Sequence, residues 1–199
     1  MIRYWLNRKP CCDKYLVHLL DRIGATMLGV KPAELLNIPF HKDGMKDSPW
    51  EECRNCLLWD KSIKFREIKI KNERIQVLFY HYASLDNTLR NKENLKFLRK
   101  LGYPDPYSLE VYLDLLAKRL NQDDFPHEIG IFLGYPLKDV LGFIGHPSLQ
   151  LVKTKGWKIY GNEKTSITRY HSFIQARTKV REFINLFLRQ GYILNSSVI

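Results

Sequence analysis

Apolar residues recur along the chain with two periods, near 3.6 and near 2, and the switches between them mark out its elements. Over residues 12–23, CDKYLVHLLDRI puts Tyr15, Leu16, Leu19, Leu20 and Ile23 on one helical face, with Gly24 the expected stop. VKPAELLNIP then offers a short apolar piece between Pro32 and Pro39, which predicts a strand over 33–38. HKDGMKDSP at 41–49 predicts a polar loop, and Ser48-Pro49 is placed to open a helix through SPWEECRNCLLWD. The clearest period of two lies between residues 64 and 82. KFREIKI alternates, Lys71-Asn72-Glu73-Arg74 supplies a turn, and IQVLFYHY follows as a dense apolar run. Together they predict an antiparallel hairpin whose second strand is the more buried. GWKIYGN at 156–162 predicts one more short strand, bounded by glycines.

Helical spacing governs the rest. SLDNTLRNKENLKFLRKLG has Ser84 as an expected cap and Gly102 as an expected stop. SLEVYLDLLAKRLNQ places Leu109, Tyr112, Leu113, Leu116 and Leu120 on one face. The longest segment, 163–190, is expected to close at Gly191 and carries a broad apolar stripe from Ile167 to Leu188. Arg177 falls near the middle of that stripe and Arg181 at its edge. An unpaired buried charge costs several kcal/mol, so Arg177 needs either a carboxylate or an anion-binding pocket. The acidic 101–150 segment is the expected supplier of that carboxylate. The pattern as a whole predicts one α+β domain over 1–199, mainly helical. Its small antiparallel sheet centres on the 64–82 hairpin, joined by 33–38 and 157–161, with the long C-terminal helix packed across it.

Composition sharpens this picture. The chain has 199 residues, 45 % apolar and 13 % aromatic, which suits a packed core and not a disordered segment. MIRYWLNRKPCCDKY lacks the apolar run of a signal peptide, and no window approaches a membrane span, so a soluble cytoplasmic protein is expected. The net charge is +11. It is uneven: three basic against seven acidic residues over 101–150, and nine against two over 151–199. A basic surplus of this kind attracts nucleic acid, an anionic ligand or an acidic partner, or simply solvates a face. Four cysteines form two close pairs, Cys11-Cys12 and Cys53-x-x-Cys56. They are expected to be thiols, with no metal bound; a zinc site through Cys53 and Cys56 is the weaker alternative, because a vicinal Cys-Cys sits badly around one tetrahedral ion.

The stretch FPHEIGIFLGYPLKDVLGFIG, residues 125–145, admits three chemistries. Gly130 and Gly134, with Ile129, Leu133, Val140 and Ile144, match the turn and packing positions of a helix-turn-helix over 126–144. Its reading residues would be Leu137, Lys138 and Asp139, a poor phosphate-binding set. His127-Glu128 would need a second His at position 131 for a zinc-protease motif, and Ile131 stands there. Glu128 is instead favoured by a helix N-terminus, and no nucleophile accompanies the pair. The third reading explains an echo: LGYP occurs at 101–104 and at 133–136. In each copy Gly ends a helix in the left-handed conformation, Tyr packs its ring with its hydroxyl at the surface, and Pro leads into the next helix.

The run FPHEIGIFLGYPLKDVLGFI also closely resembles the signature of a bacterial family catalogued as domain of unknown function 3793. ATMLGVKPAELL at 25–36 and GWKIYG at 156–161 fit the same family, and the resemblance spans roughly residues 13–192. Where relatives tend to carry a cysteine and a proline before the Thr-x-x-Gly-x-Lys-Pro-Ala stretch, this chain has Ile23 and Ala25. The resemblance implies no activity, cofactor or catalytic residue. The leading expectation is a non-catalytic cytoplasmic binding or regulatory protein for a small anionic ligand or a protein partner. Its site is expected where His127, Glu128, Tyr135, Lys31 and Arg177 converge. A DNA-binding regulator using 126–144 comes second. An enzyme acting on an anionic small molecule through His127 and Glu128 comes third.

Overall fold

The apolar face of the first helix forms as its spacing predicts, but α1 (Asp13–Met27) runs straight through Gly24. Gly24 lies against the C-terminal helix, where a Cβ would come within 3.0 Å of Val180 Cβ. Its missing side chain lets two backbones approach and stops nothing. The computed structural model describes residues 13–39, 50, 53–54 and 63–196. The expected loop at 41–49 and most of the 48–60 helix lie outside these residues.

Strand β1 (Ala33–Pro39) and the hairpin β2 (Ile63–Lys71) and β3 (Arg74–His81) form an antiparallel sheet in the order β1-β3-β2. The hairpin closes at Asn72 and Glu73, both with positive φ, at 50° and 54°. Two left-handed central residues give the turn a twist that matches the strands it joins. Ala33 pairs with Tyr80 and Ile38 with Ile75 across β1 and β3. Because successive side chains alternate, β3 sends Ile75, Val77 and Phe79 to one face and Leu78 and Tyr80 to the other. Both faces are covered, which accounts for its continuous apolar run.

On the first face lie α1 and α7 (Lys164–Ser196), with Leu20, Ile23, Val180 and Ile184 in one core with Trp50. On the second lie α2 (Tyr82–Arg90), α3 (Lys92–Lys100), α4 (Leu109–Leu120), α5 (Ile129–Phe132) and α6 (Leu137–Phe143). The expected 84–101 helix is two helices, because the Asn91 side chain accepts from the Glu93 and Asn94 amides and restarts the chain. Ser84 is not the cap of the first; His81 is, its Nδ1 accepting from the Ser84 amide at 3.2 Å. Helix α7 runs past Gly191 to Ser196, 33 residues or about 50 Å.

Both LGYP copies turn corners by one device. The glycine amide bonds back to Arg99 or Ile131, and the tyrosine amide to Leu98 or Gly130. Gly102 and Gly134 have φ of 89° and 82°. The copies diverge afterwards: Pro136 directly precedes α6, whereas Pro104 stands well ahead of α4. The Tyr103 hydroxyl, expected at the surface, is buried and donates to Glu128 at 3.3 Å.

The expected strand at 157–161 forms as β5 (Trp157–Tyr160), but it does not join the central sheet. It pairs with β4 (Leu151–Lys155), a strand whose side chains stay mostly exposed and which the apolar pattern therefore did not announce. The molecule is an α+β fold, mainly helical among the described residues, with one small antiparallel sheet, a separate hairpin and a long C-terminal helix.

Candidate functional site

Where α1 ends, the chain folds back so that the amides of Val30 and Lys31 both donate to Ala25 O. Pro32 is then fixed from two sides. Its carbonyl accepts from the His81 amide at 2.9 Å, and its ring presses on Gly134, where a Cβ would lie 2.5 Å from Cδ. This contact ties the segment carrying Lys31 to the corner carrying Tyr135. Lys31 is buried, and its Nζ donates to Glu34 at 2.6 Å. The same Nζ stands 5.9 Å from the Tyr135 ring centre and 5.7 Å from that of Phe173, within cation–π range.

Trp157 of β5 completes the wall. Its ring stacks on Tyr135 at 4.5 Å and 16°, and it tilts against Tyr170 and Phe173 at 6.1 Å each. Tyr170, Phe173 and Arg177 follow one another along one face of α7, at spacings of three and four residues. Together these groups line a cleft of about 330 Å³, with Glu34 inside it and Arg22 exposed at its mouth.

Arg177 is paired, though not from the acidic 101–150 segment. Its partner is Asp21 on α1: Nη2 donates to Oδ2 at 2.6 Å, and Nε to the backbone carbonyl at 3.1 Å. Arg181 holds the same carboxylate at 2.8 Å and 3.1 Å. Burial pushes the Asp21 carboxyl up, but hydrogen bonds from Arg181 and Arg177 outweigh it and keep its pKa below the usual carboxylate value. Burial, helped by Glu34, raises the Tyr135 phenol to about 12, so this ring stays neutral. Of the three cations that line the cleft, Lys31 is answered by Glu34 and Arg177 by Asp21, and Arg22 is left as a positive surplus beside an aromatic wall.

All three stretches singled out in the sequence meet here: Lys31 and Glu34 come from 25–36, Tyr135 from 125–144, and Trp157 from 156–161. The sequence model of one family, described as Protein of unknown function (DUF3793), matches residues 19–189, most of the chain. The chain belongs to this family. No curated protein and no solved structure matches it.

In this DUF3793 chain the five expected site residues divide. Lys31, Tyr135 and Arg177 come together in the cleft. His127 and Glu128 do not: they line a different hollow, of about 600 Å³, beside α3 and α4. Glu128 is buried there and accepts from Arg119 Nη1 at 2.8 Å, so it answers a charge and is not poised as a base. His127 is exposed, its ring edge-on to Phe143 at 4.9 Å. Cys53 is buried, and Cys56 lies outside the described residues. Among the described residues no three His, Cys, Asp or Glu side chains gather as a metal site requires.

The helix-turn-helix match also meets a physical obstacle. Its two helices have four and seven residues, and Lys138 turns inward. Lys138 Nζ donates to Asp139 Oδ1 at 2.6 Å, Tyr160 O at 2.7 Å and Ser166 Oγ at 2.8 Å. With its only cation committed, α6 has nothing to neutralise a phosphate.

Asp139 is the important residue that sequence reasoning passed over as a weak base reader. It is 2 % exposed and accepts from Trp157 Nε1 at 2.8 Å, Ser166 Oγ at 2.6 Å and the Tyr160 amide at 2.9 Å, besides Lys138. One carboxylate thus holds the cleft's tryptophan, strand β5, α6 and the first turn of α7 together. The available signal was an Asp in a short apolar helix with no stated partner.

Proposed function

We propose that the protein is a non-catalytic cytoplasmic binding protein whose site is the Lys31–Tyr135–Arg177 cleft and whose ligand is a small anion. One observation carries the reading. Stretches far apart in the chain bring Lys31, the stacked Tyr135–Trp157 pair, Arg177 and Arg22 to one cleft, where Glu34 answers Lys31, Asp21 answers Arg177, and Arg22 leaves the positive charge in excess. Charge-assisted hydrogen bonds from such groups, with aromatic rings excluding water, favour an anion over a neutral molecule. The volume is at the small end of ligand sites. Binding alone is the best-supported role, because Glu34, the one carboxylate among the described lining residues, is already paired with Lys31.

The test is a native mass spectrum of the gently purified full chain beside its denatured mass. The expected result is a small-molecule excess that disappears in Arg22→Gln and in Lys31→Met. An excess retained in both variants would place any ligand elsewhere and end this assignment.

A further inference from the structure

We infer that the ligand is a flat aromatic anion: a body of one or two rings carrying a single carboxylate, phosphate or sulfonate group. This rests on the reading of the cleft as an anion site and adds what its walls require of the ligand's body.

Four aromatic rings, Tyr135, Trp157, Tyr170 and Phe173, supply the walls. Such walls favour a π-system over an aliphatic chain, since ring pairs gain attraction beyond the area they cover. At the rim Ile174 stands 41 % exposed, an apolar side chain that a ring edge would cover. The cleft is poor in groups for a polyhydroxylated ligand. Glu34 is paired with Lys31, and the Trp157 indole N–H is committed to Asp139 at 2.8 Å. Apart from the cations, the two tyrosine hydroxyls are the side-chain polar groups left among the described lining residues. A sugar or dinucleotide would bury hydroxyls without partners, which is penalised. The cleft's 330 Å³ likewise fits one or two rings better than a dinucleotide.

The anionic group has a counter-charge in Arg22. This side chain is exposed at the mouth and has no ion pair among the described residues. It therefore gives up no existing partner to meet the ligand.

The experiment titrates the full chain with four probes, followed by heat of binding and by the indole N–H resonance of Trp157, assigned with Trp157→Phe. The probes are 2-naphthoate, 2-naphthamide, cyclohexanecarboxylate and inorganic phosphate. The expected result is that 2-naphthoate binds about tenfold or more tightly than the neutral amide or the saturated acid, and shifts that resonance. Arg22→Gln, which removes an unpaired surface cation and spares the core, should weaken 2-naphthoate by about tenfold. Equal affinity for cyclohexanecarboxylate, or binding of inorganic phosphate alone at the cleft, would overturn the aromatic requirement while leaving the anion site standing. Preference for 2-naphthamide, or no binding of any probe at millimolar concentration, would overturn both.

Discussion

At the scale of single residues, the buried carboxylates of this chain differ in what they hold. Glu128 fixes a corner, through Arg119 and the Tyr103 hydroxyl. Asp139 fixes the cleft, since four donors, two from β5, one from α7 and one from its own neighbour Lys138, converge on a side chain 1 % exposed. Replacing Asp139 by Ala strands a lysine, an indole N–H and a backbone amide at once. Breaking a buried pair from one side is expected to remove about 3–5 kcal/mol of stability. Urea unfolding checks this: the midpoint should fall with little change in slope. The sequence did not announce this role, because Leu-Lys-Asp at a helix start looks like an ordinary solvated first turn. Only the return of β5 and α7 to that spot makes it a core. Arg177 shows the reverse. Its place in an apolar stripe did require a partner, but the partner's identity lay 156 positions away on α1 and no local pattern points there.

Among elements, those with a strong period of their own were legible and their associations were not. The 64–82 hairpin, the strand at 33–39 and helices α1 and α4 follow from alternation and from apolar faces. The strand at 157–160 was legible as a strand, yet its pairing with β4 was not, because LVKTK is exposed and carries no period. Glycines misled at Gly24 and Gly191, where the chain stays helical, and informed at Gly102 and Gly134. The same amino acid permits a left-handed turn and a close approach, and sequence alone does not separate these uses. A paired substitution does. Gly145 has φ of 92° with nothing within 4 Å of an added Cβ, so Gly145→Ala should lose only about 1–2 kcal/mol of backbone preference. Gly134→Ala suffers the same strain and also meets Pro32, so its loss should exceed the first by about 1–3 kcal/mol. Thermal or urea unfolding of the two variants side by side reads the difference directly. Equal losses would mean that the Pro32 contact is slack.

Over the whole molecule, the central strand β3 carries the sheet's largest share of both cores, with Ile75, Val77 and Phe79 in one and Leu78 and Tyr80 in the other. Its amides are expected to exchange slowest with deuterated solvent, and those of β4 among the fastest. Exchange followed by mass spectrometry checks the order; early loss of β3 protection would mean that the two faces open independently. The charge distribution also resolves at this scale. The acidic 101–150 segment is answered mostly from earlier in the chain, by Arg66 with Glu110 and Asp114, and by Arg99 with Asp105. The basic 151–199 segment is therefore not neutralised by it, contrary to the simplest inference from the two blocks. Much of that surplus stays on the side of the molecule that carries α7 and the cleft, where it adds a long-range attraction for anions.

The double hold on Asp21 has one more consequence. A carboxylate with a single arginine cannot lend it without being stranded, but Asp21 has Arg181 as well. If the cleft takes an anion as proposed above, that anion can recruit Arg177 by exchange. The guanidinium turns from one oxygen to another, Asp21 keeps a partner throughout, and the seam between the first helix and the last loosens by one strand of its bonding while the ligand is present. Occupancy of the cleft would then be felt along the whole length of α7.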